Sequence, residues 1–245
     1  MHQLNMSDGE VTVKMTSRSH QGLVRINNED RVYCDPVAQF AVLADGMGGL
    51  LAGEVASEVA VETACDLLLD ATISRASPED LRAVSKLANQ AVVKRAEAMR
   101  YLGKMGTTMV IFARHKEQSF FAHTGDSRLY TYASGILTQI TSDHTLAQQM
   151  VEQGKLTEAE AFQSSKRHVL TQAIGLPGVF AADVGEVPAC ERILICSDGL
   201  SDLVESDEIQ DIMATLDLEE CTNLLLKAAL DRGGRDNVTV ALIEF

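Results

Sequence analysis

The run FAVLA, Phe40 to Ala44, stops at Asp45 and gives way to Gly46, Met47, Gly48 and Gly49 before a helix-like segment begins. No other stretch constrains the fold as much. Five consecutive apolar residues bounded by turn chemistry have the length and composition of a buried strand. A carboxylate at a strand end, followed by backbone free to turn or to approach a ligand closely, is how a site is built. One Asp-Gly pair alone is an ordinary turn. The same grammar returns three more times: Gly125-Asp126 after an apolar strand, Ser197-Asp198-Gly199 after RILIC (Arg192 to Cys196), and Asp236-Asn237 leading into VTVALI (Val238 to Ile243).

The 245 residues allow one or two domains, and 46% hydrophobic residues supply a sizeable core. The 21 basic and 35 acidic residues leave a net charge of −14. A surface of that sign repels phosphate backbones, so nucleic-acid partners are not expected. Cys34, Cys65, Cys190, Cys196 and Cys221 are odd in number and form no CxxC pair. They read as small core residues of a reducing compartment. There is no basic-then-apolar signal pattern at the N-terminus and no apolar stretch near the ~18 residues of a membrane span. A cytoplasmic protein without a membrane segment is the expectation.

Along the chain, Val11 to Met15 alternates as a half-buried strand should, and Gly22 and Asn27-Asn28 then supply turn chemistry. Arg31 to Cys34 reads as a strand. Glu54 to Leu69 has helical periodicity. A second helix starts at Ser77 as N-cap with Pro78 in its first turn, and ends near Gly103. Gly106 to Ala113, Gln118 to Thr124, Arg128 to Ala133 and Ile136 to Ile140 are β-type runs with short breaks, which predicts an antiparallel meander. Thr141 to Gly175 is polar and helix-prone, with a capping box at Thr157 to Glu160, and reads as a surface excursion. Helices follow Ser206 and Asp217, and Val238 to Ile243 is a closing strand.

Asp45, Asp126, Asp198 and Asp236 each abut a strand-like segment, and Glu29-Asp30 makes a fifth acidic cluster at another strand edge. If those strands share a core, several carboxylates converge at one end of it. Unneutralised, they repel and raise one another's pKa. Hard divalent cations such as Mg²⁺ or Mn²⁺ relieve that, because they favour carboxylate, carbonyl and water ligands. The histidines and cysteines lack zinc spacing. A pair of such ions can activate water for in-line attack on phosphorus, and would give an acidic protein a local positive field for an anionic substrate.

The series GLVRINNED, FAVLADGMGG, GTT, HTGDSRLY, SDH, LICSDGL and GGRDNVTV resembles the metal-dependent protein phosphatases (PPM, the type 2C Ser/Thr phosphatases) in their compact bacterial form. The motifs run in family order from about residue 15 to 245. The resemblance implies an α+β fold: a four-layer αββα sandwich of two central antiparallel β-sheets flanked by helix pairs, in a single domain over residues 1–245. Residues 144–175 would be a flap subdomain beside the site. It implies a binuclear Mn²⁺ or Mg²⁺ centre with a possible third ion. By position, Asp45 corresponds to the carboxylate that bridges the metals and Gly46 to a main-chain carbonyl ligand. Asp198 and Asp236 match the other ligands of one ion, and Glu29 the ligand side of the second, with Asp30 holding metal-bound water. Asp126, with Asp198, matches the third-metal position. Arg25 resembles the guanidinium that grips the substrate phosphate.

The implied activity is hydrolysis of phosphoserine and phosphothreonine monoesters in phosphoproteins, opposing a Ser/Thr kinase, by a monomer and without a covalent phosphoenzyme. Two positions depart from related patterns. Met47 stands where many eukaryotic members carry the histidine that protonates the leaving oxygen, and Leu50 where many bacterial members carry another. Neither side chain can move a proton. His123 and His144 are expected to be packed or hydrogen-bonded structural residues. A non-catalytic phosphoprotein-binding relative and a two-metal diesterase are the rivals. The retained aspartates speak against the first, and the −14 charge against the second.

Overall fold

The computed structural model describes residues 13–47, 52–176, 178, 180–214 and 217–245. Two antiparallel sheets pack face to face. One sheet holds β1 (Lys14–His20), β7 (Arg128–Ala133), β8 (Ile136–Gln139), β10 (Arg192–Cys196) and β11 (Val238–Glu244), in the order β1-β11-β10-β7-β8. The other holds β2 (Asp30–Asp35), β3 (Phe40–Met47), β5 (Met109–His115), β6 (Gln118–Thr124) and β9 (Asp183–Val187), in the order β2-β3-β5-β6-β9. The two-residue β4 (Gly106–Thr107) pairs onto the end of β3.

The continuous apolar runs follow from this layering. Phe40, Val42 and Ala44 of β3 pack under α1 (Ala52–Leu69) and α2 (Pro78–Met99), while Ala41 and Leu43 face the opposite sheet. In β10, Leu194 and Cys196 pack with the outer helices, and Ile193 and Ile195 point between the sheets. Those helices are α6 (Ser206–Met213) and α7 (Leu218–Asp231), behind the short α5 (Asp198–Ser201). A strand covered on both faces needs no polar alternation. The expected αββα sandwich is the observed one.

Local signals behave as the chemistry requires. Ser77 accepts the Asp80 N–H ahead of Pro78, and Thr157 and Glu160 form a reciprocal capping box at the start of α4 (Glu158–Gln163). Helix α2 stops earlier than Gly103, at Arg100, which takes a left-handed φ of 61° and sends its N–H back to Ala96 and Glu97.

The predicted meander is a correction. β5 pairs with β6, and β7 with β8, but β6 and β7 lie in different sheets. The three residues Gly125 to Ser127 carry the chain across, with Gly125 at φ +109°. β6 pairs instead with β9, a strand without a clear sequence signature. The alternating segment at the N-terminus extends as β1 through His20, while Val11 and Thr12 lie outside the described residues. Between β8 and β9 come α3 (Leu146–Glu152), α4 and a 3-10 turn (Ser165–His168), with a Thr145–Leu170 bridge at the base.

Candidate metal centre

One end of the sandwich gathers the acidic strand ends. Asp30 opens β2 directly opposite Asp45 on β3, and the Gly46 N–H donates to the Glu29 carbonyl at 3.1 Å. Asp198 follows β10 as the first residue of α5, Asp236 stands two residues before β11, and Asp126 sits on the crossing between the sheets. Arg25, Glu29, Asp45, Gly46, Asp126, Asp198 and Asp236 all line one cavity of about 400 Å³. Of the candidate metal- and phosphate-binding residues, Asp30 alone lies behind that surface. It is 2% exposed, and its Oδ2 accepts the Ser197 hydroxyl at 2.9 Å.

Burial, and after it the charges of Asp30, Asp198, Asp126 and Asp236, holds the Asp45 carboxyl well above the ordinary carboxylate range. Burial and then Asp126, Asp202 and Asp236 do the same to Asp198. Asp126 is pushed up to about 7, chiefly by burial and then by Asp143. Asp30 rises to about 6 by burial, against the pull of its hydroxyl donors. Asp30 Oδ1 is buried with no hydrogen-bond partner among the described residues. The carboxylates around this cavity outnumber Arg25, the guanidinium that lines it with them, which is an unfavourable arrangement, and an oxygen-only donor set suits hard cations. The residues fit a divalent metal centre.

The backbone beneath is tightly built. A Cβ on Gly46 would fall 2.2 Å from the Gly53 carbonyl oxygen, and one on Gly53 would fall 2.4 Å from Glu29 Oε2. These glycines let the first described turn of α1 press on both the strand end and Glu29. Sequence reasoning passed over the residues that hold the site in place. Asn237 accepts the Glu29 N–H at 2.8 Å, and its amide donates to the carbonyls of Gln21 at 2.9 Å and Asn27 at 2.8 Å. Thr108 accepts the Asp45 N–H at 2.9 Å, and Thr107 donates to the Asp45 carbonyl at 2.8 Å. The Asp-Asn pair before β11 and the GTT triplet were the available signals.

Arg25 stands at the mouth, its guanidinium donating to Asp236 at 2.6 Å. Met47 lines the cavity, and Leu50 lies outside the described residues. His168, which has no sequence pattern around it, reaches the cavity from the 3-10 turn, and its ring lies within 4.8 Å of carboxylate oxygens of Asp198 and Asp202. Among the described residues, Asp45 and Asp236 do not join so tight a set. His144 accepts the Gly125 N–H at 3.2 Å through Nδ1 and meets Asp183 at 3.1 Å through Nε2. His123 is buried beside it, its pKa lowered to about 3 by burial and then by His144. His144 is thus hydrogen-bonded, whereas His123 is packed with neither ring nitrogen partnered among the described residues, and the two rings and Asp183 bring ligand atoms within 4.8 Å of one another.

With that geometry in place, comparison with known proteins decides the family. The family model described as protein phosphatase 2C matches residues 16–231. The chain belongs to the protein phosphatase 2C family. It is 36% identical over 242 residues to the serine/threonine protein phosphatase PstP of Mycobacterium tuberculosis, covering 96% of this chain and 45% of that protein. The chain thus spans less than half the length of PstP. It is 34% identical over 236 residues to the serine/threonine phosphatase stp of Listeria welshimeri, covering 93% of this chain and 94% of that one. The crystal structure of the PstP catalytic domain in complex with two manganese ions superposes with a TM-score of 0.84 at 36% identity, covering 95% of this chain and 97% of that domain.

Proposed function

We propose that this type 2C family member is a protein serine/threonine phosphatase, hydrolysing phosphoserine and phosphothreonine monoesters with two Mn²⁺ or Mg²⁺ ions and room for a third. The observation that carries the reading is the convergence of Glu29, Asp45, Asp126, Asp198 and Asp236 on one cavity with Arg25 at its mouth. Asp45 would be shared between two ions, with the Gly46 carbonyl, Asp198 and Asp236 completing one side and Glu29 the other. Asp126 with Asp198 would hold the third. Bound there, hard cations supply charge stabilisation for in-line displacement at phosphorus and lower the pKa of water.

The chain's own groups do the rest. Arg25 orients the phosphate through its planar fork. Asp30, buried opposite Asp45 in the strand pairing, would orient water held in the centre. Asn237 and Thr108 fix the backbone of Glu29 and Asp45, so that the carboxylates keep their places without reorganisation. A thiol nucleophile has no part in the proposal. Burial is the first cause that pushes Cys34, Cys190 and Cys221 up to about 11 and Cys65 and Cys196 up to about 12, and none of the five lines the cavity.

We infer further that residues 1–245 form one catalytic domain with 144–175 as its flap, acting as a cytoplasmic monomer against the products of a Ser/Thr kinase. Five free cysteines agree with a reducing compartment, and no described helix is long and apolar enough to cross a membrane. The deciding experiment is phosphate release from p-nitrophenyl phosphate and a phosphothreonine peptide with Mn²⁺. The proposal predicts release that stops with chelator and with Asp45→Ala. Release that persists in both would refute it, as would activity on a diester but not on either monoester.

A further inference from the structure

A second cavity of about 300 Å³ opens beside the acidic one and shares Arg25, His168, Asp198 and Asp236 with it. Its wall brings together three guanidiniums, those of Arg25, Arg167 and Arg235, in a chain whose net charge is −14. Two of them are engaged: Arg25 with Asp236 at 2.6 Å, and Arg167 with Asp202 at 3.3 Å. Among the described residues, Arg235 is exposed and has neither an ion-pair nor a hydrogen-bond partner on its side chain.

The backbone that carries Arg235 is nevertheless fixed on both sides. The Gly234 carbonyl accepts the Leu23 N–H at 2.7 Å, and the Gly234 N–H donates to Ala229 at 3.1 Å. On the other side, Gly22 lies so close that a Cβ there would fall 2.2 Å from the Asp236 carbonyl oxygen and 2.6 Å from that of Gly234. The loop with Arg235 is thereby clamped to the loop with Arg25. The clamp fixes where the Arg235 side chain starts, so only its own rotamers remain to be ordered when it meets an anion. The two loops put one guanidinium at the phosphate cavity and another in the space next to it.

We propose that this neighbouring cavity is a subsite for a second anionic side chain of the substrate, and that Arg235 determines a preference for phosphopeptides with a negative group next to the phosphoresidue. The proposal rests on the phosphatase reading above and names the substrate class within it. A carboxylate of Asp or Glu and the phosphate of an adjacent phosphoresidue offer the same chemistry, oxygens able to accept two parallel N–H bonds from one guanidinium.

The test measures kcat and KM with Mn²⁺ on matched phosphothreonine peptides carrying Glu, phosphoserine in its non-hydrolysable phosphonate form, or Gln one or two residues from the phosphothreonine, on either side. The natural chain is compared with Arg235→Gln and Arg235→Lys. At low salt the Glu or phosphoserine peptide should exceed its Gln counterpart about three- to ten-fold in kcat/KM, mostly through KM, as an exposed charge-assisted contact allows. The two arms tell which anion is preferred. Arg235→Gln should bring the ratio close to one, Arg235→Lys should keep part of it, and added salt should shrink it in the natural chain. Equal rates on all peptides, or a preference that survives in Arg235→Gln, would overturn the subsite while leaving the phosphatase intact. Hydrolysis of none of them would overturn both.

Discussion

Replacing Asp30 by Asn in the metal-free protein gives a sharp test of how the acidic end is held together. The Asp30 carboxyl is buried, and its pKa stands at about 6 in place of 3.8. A carboxylate raised on folding contributes stability that is present below its unfolded pKa and lost as pH rises through the folded one. The difference is about two pKa units, and at about 1.4 kcal/mol per unit the ionised side chain removes about 3 kcal/mol above pH 7. Asn carries no charge to desolvate, and its Oδ1 can still accept the Ser197 hydroxyl that now reaches Asp30. Losing the Asp30 charge also relieves Asp45, for which Asp30 is the largest contribution after burial. Urea unfolding of both proteins in chelator, from about pH 4.5 to 7.5, should therefore show Asp30→Asn gaining on the natural chain as pH rises. The gap should be small at the acid end and about 2–3 kcal/mol at the neutral end, allowing for one imperfectly paired amide. A gap independent of pH would refute the reasoning, because it would mean the carboxyl is not held above its ordinary range.

Other outcomes follow from the same geometry. Asn237→Ala removes three hydrogen bonds that tie the loop before β2 to the start of β11, and should cost about 2–3 kcal/mol in urea unfolding. Gly46→Ala places a methyl against the Gly53 and Glu29 backbone, and an overpacking loss of about 1–3 kcal/mol should accompany weaker Mn²⁺ binding by calorimetry. Met47 cannot protonate a leaving oxygen, so rates on a series of aryl phosphates should fall steeply as the leaving-group pKa rises; a flat series contradicts this.

The sandwich was legible where physics leaves few options. FAVLA and RILIC are covered on both faces, so an unbroken apolar run has no other use, and Ser77-Pro78 and Thr157 to Glu160 carry their capping chemistry in the residues themselves. β9 was not legible, because Asp183 to Val187 is an edge strand with only Val187 buried and with Gly185 lying under the Phe121 ring. The meander failed for a related reason: a break of three residues looks the same whether the next strand pairs with the last or crosses to another layer. Of the candidate site, the acidic residues at the strand ends could be read directly. His168 could not, since its place depends on how the segment between β8 and β9 folds back over the cavity.

The crossing at Gly125 to Ser127 has a mechanical consequence. Asp30 and Asp45 belong to one sheet, Asp198 and Asp236 adjoin strands of the other, and Asp126 rides on the short tether between them. Any ion that these oxygens share would act as a rivet through two plates. A slip of one plate along the other would then be felt first as a change in the gauge of the acidic end, long before either plate bent.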